Sequence, residues 1–399
     1  MTRRSGADAL GRSRRQGTDR TALQRHFGLS EGLLPLWIAE PSIDVAPELI
    51  AEMQARASAG WYGYEVRPES IIESFWEWSS RRVGWDGRGL RTLISPSVGT
   101  SVGVLLEELT SPGDGVILQP PVFTDFKTLV TASGRQPVRN SLELTDSGYH
   151  IDFERLATQA ADPRTRVLIL CSPHNPVGRV WTVEELRQVA VMCAENDVFV
   201  LADEIHADIV LAPHTFTPFA HAAAGIDLAW AAMHGPLKTF GLAGVCDTLV
   251  VTDQNAIADR FAARSSQLHL TRNNVFGLAA FEAAYRLGDG WLDDFLALVA
   301  HNVDLLRTRL PDPITVLPLE GTYLAWLDLR GLELDVPEVP TWLASSAGLA
   351  VSPGHWFGRE GAGFARMTIA APSEVMEQAA AQLTAAVHER SDTSRNPHD

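Results

Sequence analysis

The sequence is poor in cysteine and in long apolar stretches, and each shortage excludes a class of protein. Its 399 residues include only three cysteines, Cys171, Cys193 and Cys246, spaced too far apart for a disulfide framework or a clustered zinc site. No stretch approaches the roughly 18 consecutive apolar residues that a membrane-spanning helix requires. The first twenty residues are polar and arginine-rich, without the apolar core of a secretory signal. We therefore expect a cytoplasmic protein that neither spans a membrane nor binds a metal.

Positive charge is also scarce, and lysine most of all. The chain has 33 basic and 49 acidic residues, and its formal net charge of −16 would repel the phosphates of nucleic acids. We therefore expect no nucleic acid partner. Only two of the basic residues are lysines, Lys127 and Lys238. Any chemistry that needs a side-chain amine has only these two candidates.

The distribution of apolar residues predicts a mixed fold with two domains. Hydrophobic residues make up 45% of the chain, which is an ordinary globular composition. A chain of 399 residues is long enough to form two hydrophobic cores. Short apolar runs alternate with helical stretches, which is typical of a mostly parallel α/β sheet. These runs predict strands at 115–118, 166–171, 198–202 and 249–251. From about residue 288, a long amphipathic helix, strand-like pieces and a last helix predict a smaller α+β domain.

We predict three parts along the chain. Residues 1–32 would form a flexible N-terminal arm, and residues 33–288 the large domain. Residues 289–399 would form the small C-terminal domain. The proline-punctuated segment 33–50 should lie extended and contribute to the small domain or to the interface between the domains.

Three polar motifs directly follow apolar runs. Asn175 follows the first run, Asp203 ends the second, and Lys238 follows a third. In open α/β sheets, ligands bind beyond the carboxyl ends of the strands. An amide, a carboxylate and one of the two lysines are therefore expected together at one edge of the sheet.

These motifs resemble those of a known family. They are Pro-His-Asn-Pro-Val-Gly at 173–178, Asp-Glu-Ile-His-Ala-Asp at 203–208 and Lys-Thr-Phe at 238–240, with shorter matches at 63–64, 321–326 and 366. They resemble the fold-type I enzymes that depend on pyridoxal 5′-phosphate (PLP), and more closely the cystathionine β-lyase-type C–S lyases of the aminotransferase class I/II group. The resemblance extends over about residues 33–385. It implies the PLP-transferase fold, with a large α/β domain and a small α+β domain, and PLP as cofactor.

The resemblance implies roles for the central residues. Lys238 would form the covalent link to PLP and then act as the base at the substrate Cα. Asp203 would keep the pyridine nitrogen protonated, and Arg366 would bind the substrate α-carboxylate in a bidentate pair. Asn175 would donate to the cofactor's phenolic oxygen or to that carboxylate.

Further contacts are implied around the cofactor and the substrate. The ring would stack on Phe123 and be supported by His206, and the phosphate would lie at the helix N-terminus that contains Gly99, Thr100 and Ser101. Ala39 and Trp37 are expected to contact the substrate, whose remaining half would meet Trp37, Trp61, Tyr62 and His355. Tyr64 would reach the phosphate of the neighbouring subunit and take part in catalysis. A homodimer with shared active sites follows.

Taken singly, several of these residues also have purely structural explanations. Asp203 could be a helix N-cap, His206 a satisfied core histidine and Arg366 a structurally paired strand arginine. Lys127 is best explained as a solvated position on an amphipathic helix. The spacing of Lys238 from the other motifs favours the functional interpretation.

The sequence departs from the family pattern at several positions. Leu237 and Gly235 replace usual phosphate-binding hydroxyls, Cys246 replaces an arginine common in aminotransferases, Gly241 replaces an asparagine, and Phe123 replaces a tyrosine. Each lost hydroxyl donor is worth on the order of 1 kcal/mol. We therefore expect weaker retention of PLP than is usual in the family, unless His234, Thr100 or Ser101 compensates.

The leading prediction is a C–S β-lyase that acts on an L-cysteine S-conjugate, a small-molecule amino acid, in specialised metabolism. Its products would be a thiol, pyruvate and ammonia. Phe123 and Gly241 leave a second reaction open, in which an aminotransferase or a decarboxylating oxidative deaminase keeps the C–S bond and the latter forms an aldehyde. A third possibility is a non-catalytic regulatory domain. Such proteins usually have a DNA-binding module in front, for which residues 1–32 leave no room.

Overall fold

The computed structural model describes residues 17–272 and 274–395, and a large twisted sheet lies at its centre. The strands of the described residues are β1 Leu34–Pro35, β2 Arg91–Ser95, β3 Gly115–Leu118, β4 Gln136–Arg139, β5 Glu143–Thr145, β6 Gly148–His150, β7 Thr165–Cys171, β8 Phe199–Asp203, β9 Trp230–His234, β10 Thr248–Thr252, β11 Thr315–Val316, β12 Leu324–Asp328, β13 Leu349–Ala350, β14 Ser352–Pro353 and β15 Phe364–Thr368.

The large sheet has the strand order β2-β10-β9-β8-β7-β3-β4. Strand β10 runs antiparallel to both of its neighbours, and the remaining strands are parallel to one another. Strands β3, β8, β9 and β10 are buried along their whole length, because helices cover both faces. The predicted mostly parallel α/β sheet is confirmed.

Helices follow most of these strands. They are α1 Arg20–Phe27, α2 Pro47–Ser58, α3 Ser70–Val83, α4 Val98–Leu109, α5 Thr124–Ala132, α6 Phe153–Ala160, α7 Val183–Ala194, α8 Phe219–Ala222, α9 Asn255–Gln267, α10 Val275–Leu287, α11 Asp289–Arg309, α12 Glu338–Thr341 and α13 Ser373–Arg395. Their starts follow local capping chemistry. Ser97 caps α4 by accepting from the Thr100 N–H, and Thr182 with Glu185 forms a capping box at α7.

The C-terminal part contains a second, antiparallel sheet with the order β11-β12-β15-β14, and α11 packs against α13 beside it. Strand β1 pairs in parallel with β13, so the segment after residue 33 joins this part of the molecule. Trp326 on β12 and Phe364 on β15 stack with a ring separation of 5.4 Å. The domain limits at 32/33 and 288/289 stay predictions.

Part of the expected N-terminal arm is an ordered helix. Residues 1–16 lie outside the described residues, but α1 begins after the N-cap Asp19 and ends at Gly28, whose φ is 73°. Leu23 and Phe27 are four residues apart and therefore share one helix face. Leu23 is buried, and the Phe27 ring lies 5.5 Å from the Trp37 ring. The expectation of a flexible arm is therefore wrong for this helix, because its apolar face is buried against Trp37.

Two features are absent from the described ranges. No helix there is long and apolar enough to cross a membrane. Nor do these residues contain a group of three or more His, Cys, Asp and Glu side chains that could hold a metal ion.

Candidate active site

The carboxyl ends of the parallel strands bring the predicted residues to one edge of the large sheet. Strand β8 ends at Asp203, and β7 and β9 end immediately before the segments that contain Asn175 and Lys238. Arg366 reaches the same edge from β15 of the second sheet and donates to the Asn175 Oδ1 at 3.0 Å. The site therefore lies between the two sheets.

Lys238 is the predicted reactive amine of this site. Its Nζ donates to the Ala39 carbonyl oxygen at 2.8 Å, and its side chain keeps some contact with solvent. Burial, followed by the nearby Arg366 guanidinium, lowers the pKa of Lys238 to about 8, against the opposing effect of Asp203. The neutral form of the amine is therefore far more populated here at neutral pH than on an ordinary lysine.

The turn that contains Lys238 is anchored by the residue after it. The Thr239 hydroxyl donates to Asp208 at 2.8 Å, and the Trp78 indole donates to the other carboxylate oxygen at the same distance. Burial raises the pKa of Asp208, while these two hydrogen bonds oppose that effect. The anchor therefore connects the second and third motifs, since Asp208 ends one and Thr239 belongs to the other.

Asp203 is a buried carboxylate, and none of the described residues is a cationic partner in hydrogen-bonding contact with it. Its Oδ1 accepts the Ile205 N–H at 3.2 Å. Burial raises the pKa of Asp203 to about 6, partly offset by that hydrogen bond and by Lys238. The carboxylate is mostly ionised at pH 7 and would gain from a protonated nitrogen beside it.

Arg366 is held ready for a carboxylate by neutral acceptors. Its Nη2 donates to the Trp37 carbonyl at 2.7 Å and to the Ser352 hydroxyl at 3.3 Å. Its Nε is buried and has no partner within the described part of the chain. Burial lowers the pKa of Arg366 to about 10, so the guanidinium stays charged at neutral pH.

Two predicted ring contacts lie at the same edge. His206 is buried, and its Nδ1 has no partner among residues 17–272 and 274–395. Burial, with the charges of Lys238 and Arg366, brings the pKa of His206 well below its ordinary value, so the imidazole is neutral. Phe123 is half-buried just before α5, with its ring 5.5 Å from that of Phe126. Both side chains suit contact with an uncharged aromatic surface.

The N-terminus of α4 is where the cofactor phosphate is expected to bind. Gly99 lies in the first turn, where backbone N–H groups lack intrahelical acceptors. The hydroxyls of Thr100 and Ser101 already have local partners, Ser97 Oγ at 2.9 Å and the Ser97 carbonyl at 3.1 Å. These contacts would have to be exchanged before either hydroxyl could bind a phosphate.

His234 does not replace the missing phosphate donors. Its Nε2 lies 3.0 Å from the Glu204 carboxylate, and both side chains are buried. The ring also packs against Phe75 and Trp85 at 5.2 and 5.4 Å. The arrangement does not support the expectation that His234 compensates, since its imidazole lies in the core beside Glu204.

Three of the sequence departures have visible physical correlates. Gly241 has φ of 70°, a region that glycine and asparagine both adopt, so an asparagine is dispensable for this turn. A Cβ on Gly235 would come within 3.3 Å of the Thr248 Cα, a tight contact with backbone. Cys246 donates to the Gly277 carbonyl at 3.6 Å, and burial raises the pKa of this thiol. Cys246 is therefore neutral and supplies no cation.

Tyr64 and Trp37 lie differently from the other predicted residues. Tyr64 is 88% exposed and lies outside the site of its own chain. The Trp37 indole is buried in a cluster with Leu23 and Ala350, and its Nε1 donates to the Gly17 carbonyl at 3.0 Å. Only the carbonyl of Trp37 faces Arg366. The contact of Trp37 with the substrate stays a prediction, and it would involve the backbone beside Arg366 rather than the indole, which packs elsewhere.

Two contributors to the site were given no role by the sequence reasoning. The Ser352 hydroxyl donates to the Trp37 carbonyl at 2.8 Å and accepts from Arg366. The Tyr323 hydroxyl donates to the Ala39 carbonyl at 3.1 Å. Tyr323 belongs to the matched segment 321–326, which was a usable signal, whereas no motif marks Ser352.

The residues present fit PLP. An amine with a lowered pKa suits its aldehyde, a carboxylate without a cationic partner among the described residues suits its ring nitrogen, and the first turn of α4 suits its phosphate. The Nδ1 of His206 and the Nε of Arg366, which have no partner among the described residues, leave two donor or acceptor positions open to polar groups of a ligand. Lys238, Asp203 and α4 would be the principal contacts.

Comparisons with known proteins agree with this chemistry. The family model described as aminotransferase class I and II matches residues 90–383. The chain is 33% identical over 369 residues to cystathionine β-lyase PatB of Bacillus subtilis strain 168, covering 90% of this chain and 94% of PatB. It is 29% identical to protein MalY of Escherichia coli K12, covering 90% and 93%. The crystal structure of cystalysin from Treponema denticola, which contains a pyridoxal 5′-phosphate cofactor, superposes with a TM-score of 0.87 at 27% identity, covering 94% of this chain and 97% of cystalysin.

Proposed function

Because the chain belongs to the aminotransferase class I and II family, and within it to the group of PLP-dependent cystathionine β-lyases and C–S lyases, we propose that it cleaves an L-cysteine S-conjugate. The observation that carries this proposal is the Lys238 amine, whose pKa is lowered to about 8 beside Asp203 and Arg366. The net reaction consumes water and yields a thiol, pyruvate and ammonia. The departures at Phe123 and Leu237 support a specialised conjugate as the substrate.

The roles of the residues follow from their positions. Arg366 would exchange its contacts with the Trp37 carbonyl and Ser352 for the substrate α-carboxylate, which leaves the Cα–H bond near Lys238. When bound, PLP supplies an electron sink for the negative charge that develops at Cα. Asp203 would hold the proton on the ring nitrogen, and Lys238 would take the proton from Cα. The electrons of the broken C–S bond leave with sulfur as a thiolate.

We also propose that the enzyme is a homodimer that shares its active sites. Trp61, Tyr62, Tyr64 and Val66 are all exposed, which is an unusual density of large apolar side chains on one segment. Covering this segment with a second copy would bury it and would direct Tyr64 to the phosphate in the partner's site. Mixing the Tyr64→Ala and Lys238→Ala variants tests this arrangement. Random hybrid dimers should restore about a quarter of the wild-type activity, whereas independent sites would restore none.

The reaction itself is tested with the purified protein and PLP. Borohydride reduction followed by peptide mapping should label Lys238 and leave Lys127 unmodified. S-alkyl cysteine should yield equal amounts of pyruvate and free thiol. An aldehyde that retains sulfur would instead support decarboxylating oxidative deamination, and an intact thioether with a new keto acid would support transamination. An unlabelled Lys238 would contradict the whole assignment.

A further inference from the structure

The carbonyl oxygen of Ala39 accepts two hydrogen bonds in the centre of the site. One comes from Lys238 Nζ at 2.8 Å and the other from the Tyr323 hydroxyl at 3.1 Å. Tyr323 is completely buried and Ala39 is nearly so. A carbonyl oxygen has two lone pairs, so each donor can use one of them. The reactive amine and the tyrosine therefore share one acceptor.

The backbone before Tyr323 is tightly constrained. A Cβ on Gly321 would lie 2.7 Å from Val180 Cγ2 and 2.9 Å from the Ile209 carbonyl, so no side chain fits there. Thr322 has φ of 67°, a value that β-branched residues rarely adopt, and its N–H donates to the same Ile209 carbonyl at 2.7 Å. Such strain persists where surrounding structure over-determines it, often at functional sites. The position of the following tyrosine is thus set by the whole segment.

Lys238 cannot keep its contact with Ala39 throughout the reaction. In the proposed function, Lys238 would hold PLP through its amine nitrogen, and the two hydrogens of the neutral amine would leave with the aldehyde oxygen as water. The Ala39 carbonyl then loses its lysine donor while it remains buried. A buried carbonyl without a donor is costly, and a second donor removes that cost.

We propose that Tyr323 is a positioning residue for cofactor binding, whose hydroxyl keeps the Ala39 carbonyl satisfied when Lys238 leaves it for PLP. This inference rests on the proposed function, in which Lys238 binds the cofactor. Tyr323 also steadies the segment from Trp37 to Ala39, since the Trp37 carbonyl at its other end holds Arg366. One hydroxyl thereby supports both the amine side and the carboxylate side of the site.

Tyr323→Phe isolates the hydroxyl, because the ring and its neighbours stay in place. The ring lies 5.8 Å from both His206 and Phe295, and phenylalanine keeps these contacts. Tyr149→Phe is a matched control. Tyr149 is also buried, and its hydroxyl accepts from the Trp326 indole at 3.2 Å, away from Ala39. Both variants lose one buried hydroxyl, but only Tyr323→Phe alters the acceptor shared with Lys238.

The experiment measures the dissociation constant of PLP and the thermal unfolding of apo and PLP-bound forms for the wild type and both variants. We expect Tyr323→Phe to bind PLP about tenfold more weakly, and to lose more stability in the PLP-bound form than in the apo form, where Lys238 still donates to Ala39. Tyr149→Phe should lose similar stability in both forms and bind PLP within about twofold of the wild type.

Two results would overturn the inference. They are a PLP affinity of Tyr323→Phe within about twofold of the wild type, and an equal loss of affinity in Tyr149→Phe. A failure of the proposed function is recognised separately, because it shows in the wild type alone as an absence of PLP on Lys238.

Discussion

The amine of Lys238 should titrate far below an ordinary lysine in the protein without cofactor. Burial and Arg366 lower its pKa from 10.5 to about 8. At pH 7 this leaves about one amine in ten neutral, against roughly one in three thousand for an unperturbed lysine. The site thus increases the population of the reactive form about 300-fold through its environment alone.

The scarcity of lysine makes this prediction directly measurable. Protein labelled with ¹³C and ¹⁵N at lysine should show two side-chain signals, and Lys127→Arg removes the one that belongs to the exposed residue on α5. The remaining Cε shift, followed from pH 6 to 11, should have its midpoint near pH 8. A midpoint at or above 10.5 would refute the electrostatic account of the site.

The same shift predicts the pH dependence of stability. Between pH 8 and 10.5 the unfolded chain binds a proton at this lysine that the folded chain has released. The free energy of unfolding of the apoprotein should therefore receive a contribution from Lys238 that increases with pH across this window. Comparing urea unfolding of the wild type and Lys238→Met at pH 7.5 and 9.5 measures this contribution, and an equal difference at both values would contradict it.

Three further substitutions test the other groups. Arg366→Gln should raise KM about 10- to 100-fold, since hydrogen bonds to charged groups contribute about 1.5–3 kcal/mol. It should also raise the pH midpoint of the Lys238 titration. An unchanged KM in steady-state kinetics would exclude the carboxylate role. Asp203→Asn should lower turnover at least about a hundredfold. The melting temperature of the apoprotein at pH 8 should not fall, because burial already disfavours the ionised carboxylate and raises its pKa to about 6. A marked drop in melting temperature would show that Asp203 is mainly structural. Leu237→Ser should slow the loss of PLP during dialysis against phosphate about fivefold, with Leu237→Ala as the control, and equal loss from both variants would count against a hydroxyl deficit.

The part of the site that depends on strand ends was predictable from the sequence. Apolar runs encode buried strands locally, and parallel strands place their carboxyl ends at one edge, so Asn175, Asp203 and Lys238 could be assigned to one place. The number of lysines added a chemical constraint, because only Lys127 and Lys238 have a side-chain amine. The helix at 20–27 was not predicted, since only Ala22, Leu23 and Phe27 form its apolar face and this face packs against residues outside the helix, among them Trp37.

The sequence by itself determined the fold class and the placement of Asn175, Asp203 and Lys238 at strand ends, because strand period and motif spacing are local properties of the chain. Only the tertiary structure decided which groups complete the site. The Ala39 carbonyl accepts hydrogen bonds from Lys238 and Tyr323, which are 199 and 284 residues away in the sequence. Arg366 donates to the Trp37 carbonyl over a sequence separation of 329 residues. The His234 side chain lies beside Glu204, and the Trp37 ring packs in its own cluster, for the same reason. Packing between distant segments sets the direction of a side chain, and no local pattern in the sequence predicts it.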